Sequence, residues 1–340
     1  MLKNVLEISG TPVGDNLAPY VIAEVGSNFD KNFDKARKLI DVAKDAGANA
    51  VKFQLFRADV LYPNRDGLYD IFKSIELDAE WIPELNKHAC EQDLHFIASA
   101  FDIGSIDILE AVGVPAHKVA SSETTNLGFL HKVASTGKPV IISTGMCDMV
   151  DVEEAVNTCM GTDNRQVVLM QCGAMYPLPS ELVNLRVIQT LVHRFNCPVG
   201  FSDHTLGQVA AITAVGLGAT VFEKHYTLNK KGAGPDHFYA LEPDELKSYV
   251  SAIHEAHDAL GSGEKQMLPK ERELGRREGL YLARNMTKGE TITAADLLIK
   301  RPAVGLRSRY ANTVVGATLV QSMEKEQPLK WDALSFGESK

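Results

Sequence analysis

Short apolar runs alternate with amphipathic stretches from about residue 20 to residue 260. Eight of the runs have strand length: Tyr20 to Val25, Ala50 to Leu55, His95 to Ser99, His117 to Ala120, Val140 to Ser143, Val167 to Cys172, Val199 to Phe201 and Thr220 to Lys224. Between them, apolar residues recur at three- and four-residue spacing. Ala36, Leu39, Ile40 and Ala43 share one face of a predicted helix over Asp34 to Ala46, and Leu185, Ile188, Leu191 and Val192 share one over Leu182 to Phe195. Alternating strands and helices predict parallel strands joined by crossover helices. Eight units predict a closed (β/α)8 TIM barrel, because an open doubly wound sheet usually stops earlier and carries a Gly-rich nucleotide loop after its first strand. No G-x-G-x-x-G follows Val25.

The pattern changes after Gly261-Ser262-Gly263. A charged segment, Glu264 to Glu278, leads into short apolar runs broken by Lys288-Gly289-Glu290, Gly305 and Gly316. The predicted organisation is a barrel over 1–262, a linker over 263–278 and a small β-rich domain over 279–340. A domain that small has a thin core and is expected to dock on a barrel or a second chain.

Composition narrows the function. The 340 residues carry a formal charge of -9, with 45% hydrophobic and 23% charged residues. There is no basic run of the kind a phosphate backbone requires, so nucleic acid is not an expected partner. No apolar stretch approaches the ~18 residues that span a bilayer, and no membrane association is expected. The five cysteines, Cys90, Cys147, Cys159, Cys172 and Cys197, form no C-x-x-C pair. An odd, sparse set fits a reducing compartment, so a cytoplasmic location is expected with each thiol a small buried residue.

In a TIM barrel the chemistry sits where strands end. Those ends supply Glu24, Lys52 and Gln54, Ser99, Lys118 with Ser121 and Glu123, Ser143-Thr144-Gly145, Tyr176, Ser202-Asp203-His204 and Glu223-Lys224-His225. Lys52 lies between Val51 and Phe53 in an apolar strand. Its buried ammonium needs either a salt bridge, for which Glu24 is available, or an anionic ligand. A second strand-borne lysine, Lys118, favours the anion. Ser143-Thr144-Gly145 and Ser121-Ser122 offer hydroxyls and backbone N–H groups for a phosphate. His204 and His225 end adjacent strands and are either a hydrogen-bonded pair or two ligands to one divalent cation. His237, in Gly234-Pro235-Asp236-His237, is expected at the surface or against substrate. The other seven histidines fall on predicted helices or in strand interiors and are expected to be structural.

These strand ends carry a resemblance. Ile22-Ala23-Glu24-Val25-Gly26, Val51-Lys52-Phe53-Gln54, Lys118-Val119-Ala120-Ser121, Ser143-Thr144-Gly145-Met146, Ser202-Asp203-His204-Thr205-Leu206-Gly207, Glu223-Lys224-His225-Tyr226-Thr227, Gly234-Pro235-Asp236-His237 and Lys300-Arg301-Pro302 occur in order. Together they resemble the sialic acid synthase family, phosphoenolpyruvate-dependent synthases of nonulosonic acids such as neuraminic, legionaminic and pseudaminic acid. The resemblance implies that Lys52, Lys118, Ser121, Ser143 and Ser202 hold phosphoenolpyruvate, that His204 and His225 bind Mn2+ or a similar cation such as Mg2+ or Co2+, and that Glu24, Gln54, Glu123, Tyr176 and Asp236 face an N-acylated amino-hexose. Glu24 is the candidate for orienting or deprotonating the attacking water. The terminal segment resembles the family's antifreeze-like (SAF) domain, whose arginine, matching Arg301, reaches the sugar site of the other subunit in a swapped homodimer.

Three positions depart from the family pattern: Phe29, Ser122, and Ala174 within Cys172-Gly173-Ala174-Met175-Tyr176-Pro177. Two other readings are a related ulosonic acid synthase using a different or phosphorylated sugar, and a non-catalytic carbohydrate- or ice-binding protein. The first does not account for the appended domain. The second predicts decay at the barrel ends, where Glu24, Lys52, His204 and His225 remain.

Overall fold

The computed structural model describes residues 1–63 and 67–337, so the last three residues of the expected 279–340 domain lie outside the described residues. The chain divides into two compact units, Met1–Gly261 and Ser262–Lys340.

The first unit opens with an antiparallel hairpin, β1 (Val5–Ile8) and β2 (Thr11–Gly14). Eight parallel strands follow: β3 (Tyr20–Glu24), β4 (Ala50–Leu55), β5 (His95–Ala100), β6 (His117–Val119), β7 (Val140–Ser143), β8 (Val167–Cys172), β9 (Val199–Asp203) and β10 (Val221–His225). They pair in sequence order, and β10 closes on β3 to complete the barrel. Each of the eight expected runs is a barrel strand, with ends differing by up to two residues.

Helices cover the outside: α1 (Phe33–Asp45), α2 (Ala58–Leu61), α3 (Gly67–Ile75), α4 (Ile82–Cys90), α5 (Ile103–Ala111), α6 (Leu127–Ala134), α7 (Met149–Gly161), α8 (Val187–Phe195), α9 (Val209–Gly216) and α10 (Pro243–Leu260). In α1 the Asn32 side chain caps the Lys35 N–H, and Ala36, Leu39, Ile40 and Ala43 are buried, as the spacing requires. Truncating Leu39, fully buried in this layer, would cost about 2–5 kcal/mol. Helix α8 starts five residues later than its periodicity suggests, because Asn184 adopts a left-handed φ of 50° that a helix cannot continue through.

The strands read as unbroken apolar runs because both faces are buried. Val21, Val51, Phe53, Phe96, Val119, Ile142, Leu169, Phe201 and Phe222 face the helices. Tyr20, Ile22, Ala50, Ile97, Ile141, Val168, Met170 and Val221 fill the barrel interior, with Leu6, Ile8 and Val13 of the hairpin joining the same cluster. Along each inward-facing row the chemistry then switches within two residues: Ile22 gives way to Glu24, Ala50 to Lys52, Ile97 to Ser99, Ile141 to Ser143 and Val221 to Glu223. The apolar layers hold the fold, and the polar layer above them lines the carboxyl end of the barrel.

The second unit holds two small antiparallel pairs, β11 (Gly279–Leu282) with β12 (Leu297–Lys300) and β13 (Thr318–Leu319) with β14 (Leu334–Ser335). Among the described residues its core comprises twelve buried ones, including Leu280, Leu282, Met286, Ile292, Leu306, Val314 and Leu329.

Candidate active site

Twelve of the thirteen expected site residues line one cavity of about 610 Å3. They are Glu24, Lys52, Gln54, Lys118, Ser121 and Glu123 from the first half of the barrel, and Ser143, Tyr176, Ser202, His204, His225 and Asp236 from the second. The thirteenth, Arg301, lies in the second unit with a largely exposed side chain, 3.7 Å from Glu278.

The floor is a network of four buried charges. Register places Glu24 of β3 opposite Lys52 of β4 and opposite His225 of β10. Lys52 Nζ lies 2.8 Å from Glu24 Oε2 and donates to Ser99 Oγ at 3.0 Å. Gln54 Nε2 donates to Glu24 Oε1 at 2.7 Å. Lys118 Nζ donates to Ser143 Oγ at 2.8 Å. Between the two lysines sits Glu223, 3.7 Å from each ammonium and accepting from Ser202 Oγ at 3.3 Å.

Glu223 has no role in the sequence reading, although it occupies the inward-facing position two residues before His225; the strand period of two is the signal that finds it. Of the two readings of Lys52, the salt bridge to Glu24 is present, and both residues line the cavity.

Burial and charge compete at each group. Burial raises the Glu24 carboxyl, against the pull of Lys52 and with Glu223 adding to the rise. Burial also opposes the Lys52 ammonium, but Glu223 and Glu24 overcome it and hold its pKa above the ordinary lysine value. Lys118 is lowered by burial despite Glu223. At Glu223 burial is outweighed by Lys118 and Lys52, which hold the carboxyl down at about 2. Two ammonium and two carboxyl groups thus come close to neutrality, and any anion entering here would compete with the carboxylates for the lysines.

His204 and His225 have ring centroids 5.7 Å apart. The His204 Nδ1 edge meets the Gly173 carbonyl at 2.8 Å, which leaves Nε2 directed elsewhere. His225 is buried, and its Nδ1 has no hydrogen-bond partner. Burial lowers its pKa to about 4, so the imidazole is neutral at physiological pH. A buried, unpartnered, neutral ring nitrogen beside a second imidazole fits a divalent cation. Among the described residues no group of three or more His, Cys, Asp or Glu could hold a metal ion; His204 and His225 are the residues that would hold one here.

The strand ends that carry these rings are fixed on their outer face. Lys224 lies 3.0 Å from Asp203, whose carboxylate also accepts from Thr205 N, Thr205 Oγ1 and Tyr249 OH. Tyr176 covers the pair from the cavity side, its ring 4.1 Å from that of His204. Gly26, at φ 53°, allows the backbone to pass here; a Cβ would stand 2.6 Å from Asp236 Oδ2 and 3.0 Å from His225 Nδ1.

Several expectations need correction. His237 is not at the surface and does not line the cavity: it is fully buried, bonded to Thr227 Oγ1 at 2.6 Å and Asp30 Oδ1 at 2.9 Å, and clips the loop that carries Asp236. Asp236 itself accepts from Ser27 N, Ser27 Oγ and Tyr239 OH, so it faces the cavity as an anchored carboxylate. The N–H groups of Thr144 and Gly145 are not available to a phosphate, since they donate to Met170 O and to Ser121 Oγ. Cys90 is exposed, not buried, and Cys172 lines the cavity.

The three departures also acquire places. Phe29 packs in the core against Phe53 and Trp81. Ser122 Oγ donates to Glu123 Oε2 at 2.7 Å. Ala174 lies on the cavity wall without a polar group.

The sequence matches the NeuB family over residues 39–265 and the SAF domain over residues 277–335. It is 39% identical to an uncharacterized protein, MJ1065, of Methanocaldococcus jannaschii, across 97% of this chain and 98% of that one. It is 37% identical to N,N'-diacetyllegionaminic acid synthase of Legionella pneumophila, across 94% and 96%. The crystal structure of N-acetylneuraminic acid (sialic acid) synthetase from Leptospira borgpetersenii, in complex with citrate, superposes with a TM-score of 0.76 at 29% identity, covering 80% of this chain and 95% of that one. The chain belongs to the NeuB family, the sialic acid synthase family of enzymes, and carries a SAF domain.

Proposed function

We propose that this enzyme condenses phosphoenolpyruvate with the open-chain form of an N-acylated amino-hexose, forming a nonulosonic acid and inorganic phosphate. The observation that carries the reading is the cavity floor, where two buried lysines and three serine hydroxyls stand within one barrel mouth beside a pair of imidazoles. Lys52, Lys118, Ser121, Ser143 and Ser202 hold phosphoenolpyruvate, whose charge replaces the carboxylate partners the lysines otherwise have. Gln54, Glu123, Tyr176 and Asp236 orient the sugar.

The new bond forms between C3 of the enol phosphate and the aldehyde carbon. Cationic character develops at C2, water adds there, and phosphate leaves with cleavage of the C–O bond. Glu24 orients this water and takes its proton, a role that its raised pKa and its place beside Lys52 suit. A divalent cation, Mn2+ by preference with Mg2+ or Co2+ as substitutes, held by His204 and His225 supplies polarisation of the aldehyde oxygen when bound. Arg301 reaches the sugar site of a second subunit in a swapped homodimer, and closure by that partner dries the site.

The test is phosphate release from phosphoenolpyruvate with Mn2+ and a panel comprising N-acetylmannosamine, its 6-phosphate and diacetamido hexoses. Release with at least one sugar is expected, and none with any sugar refutes the reading. Chelator abolishes turnover, and added metal does not rescue His225→Ala; activity indifferent to chelator removes the metal from the scheme.

A further inference from the structure

His204 and His225 are oriented by different means. The Nδ1 edge of the His204 ring meets the Gly173 carbonyl at 2.8 Å. The His225 ring has no such bond among the described residues, and its Nδ1 is buried without a partner. An imidazole that binds a cation through one nitrogen is ordinarily held by a hydrogen bond at the other, which fixes the angle of the ring. Whichever nitrogen of His225 takes the cation, that restraint is missing. The angle has to be set by packing.

The packing comes from the segment that follows β10. This segment is tied back to the strand: Leu241 N donates to His225 O at 2.9 Å, Thr227 N donates to Leu241 O at 2.8 Å, and the His237 ring is bonded to Thr227 Oγ1. Between His237 and Leu241 stands Tyr239, 3% exposed and behind the cavity wall, which it does not line. Its ring lies 5.3 Å from that of His225 at an interplanar angle of 66°, edge to face, and 5.5 Å from that of Tyr176. Its hydroxyl donates to Asp236 Oδ1 at 2.7 Å, while Asp236 Oδ2 accepts from Ser27 N and Ser27 Oγ, both at 2.8 Å. The Gly26 backbone closes on the Nδ1 edge of the imidazole, where a Cβ would stand 3.0 Å from both Nδ1 and Cε1.

Resting on the metal-dependent reading above, we propose that Tyr239 is the positioning residue for His225: its ring sets the angle of the imidazole in place of the missing hydrogen bond. Tyr239 itself lies outside the cavity and acts through its neighbour. A phenol tied at its hydroxyl to a carboxylate that is itself held at the other oxygen has little room to tilt, and an edge-to-face contact with a fixed ring restricts rotation of the imidazole. The ring carries the effect, because it meets His225 directly, whereas the hydroxyl only steadies the ring. A tyrosine that merely filled space could be replaced by any apolar side chain of similar volume. One that sets a ring angle needs an aromatic plane.

The experiment measures Mn2+ binding to the full-length protein from the electron paramagnetic resonance signal of free Mn2+, which does not depend on turnover. Tyr239→Met fills much of the same space without a ring and is expected to raise the Kd for Mn2+ roughly tenfold, whereas Tyr239→Phe should stay within about twofold of the parent. In phosphate release, the activity lost in Tyr239→Met should return as Mn2+ is raised, with KM for phosphoenolpyruvate constant. Tyr239→Leu takes the place of the methionine variant if that one does not fold. A parental Kd for Mn2+ in the variant without the ring, whatever its Tm, means that Tyr239 only fills space and overturns the inference. A Tyr239→Phe protein as weak as Tyr239→Met overturns it too, since the hydroxyl would then carry the effect. So does failure of both the methionine and leucine variants to fold, which would make the residue a part of the core alone. A parent protein that binds no Mn2+ refutes the metal reading itself.

Discussion

Lys52 Nζ and Glu24 Oε2 lie 2.8 Å apart at paired positions of β3 and β4, with both side chains almost fully shielded from solvent. A buried pair of this kind gains little over an apolar pair of the same size, but losing one member leaves a stranded charge, at a cost of about 3–5 kcal/mol. Lys52→Met strands Glu24 and weakens the restraint on Glu223. Urea unfolding should register the loss of stability, and calorimetric titration should show phosphoenolpyruvate affinity falling by roughly 100-fold. Glu24→Gln keeps a hydrogen-bonding side chain beside Lys52 and Gln54. It should therefore retain phosphoenolpyruvate binding while kcat drops by about 100-fold or more. If both variants lose binding equally, the pair is purely structural.

Glu223 gives a prediction of opposite sign. It stands 3.7 Å from both lysines and competes with any anion for them. Glu223→Gln removes that competitor, so the dissociation constant for phosphoenolpyruvate should fall, by roughly tenfold at low salt. A weaker complex in the same titration would mean that Glu223 is needed to orient the ammonium groups more than it competes with substrate.

Glu123 supplies a pH signature. Burial raises its carboxyl to about 7, against the Ser122 hydroxyl that favours the ionised form. A raised acid contributes stability that is fully present below its unfolded pKa, near 4.5, and is lost as pH rises through the folded value. The Tm of Glu123→Gln should therefore climb relative to the parent protein between pH 4.5 and 7 and level off above. A Tm difference that is flat across this window would show that Glu123 titrates as an ordinary surface carboxyl.

Much of this site was legible in the sequence because a barrel converts strand order into spatial order. Glu24, Lys52 and His225 are far apart in sequence but adjacent in the sheet, and counting eight apolar runs was enough to bring them together. The internal hydrogen bonding was less legible. Strand ends alone could not say that the Gly145 N–H is spent on Ser121, or that His237 turns inward to Thr227 and Asp30 instead of outward. Those choices depend on loop paths such as the close pass of Gly232 against the His237 ring, where a Cβ would come within 2.5 Å. Glu223 is less legible for another reason: the histidine that ends the strand is the stronger chemical signal, although alternation gives both residues the same inward face. Leu61, Ile71, Phe72 and Ile75 of α2 and α3 also line the cavity, in an insertion that breaks the repeat, so periodicity does not say which side of it meets the cavity.

The swapped arrangement proposed for Arg301 can be tested without a structure of the dimer. Arg301→Ala alone should raise the KM for sugar with the barrel still folded, but that result does not say which subunit the arginine serves. Mixing does. Protomers carrying Glu24→Gln have a defective barrel and an intact Arg301, and protomers carrying Arg301→Ala have the reverse. If the arginine acts across the interface, a mixed dimer contains one site built from an intact barrel and an intact arginine. Random reassociation makes half the dimers mixed, so activity should recover to about a quarter of the unmutated enzyme. If Arg301 serves its own barrel, or neither, each site in the mixture retains one defect and activity stays at the average of the two parents. Dissociation and reassociation at low protein concentration, followed by phosphate release under saturating phosphoenolpyruvate, separates these outcomes by a margin that the residual activity of either variant cannot supply.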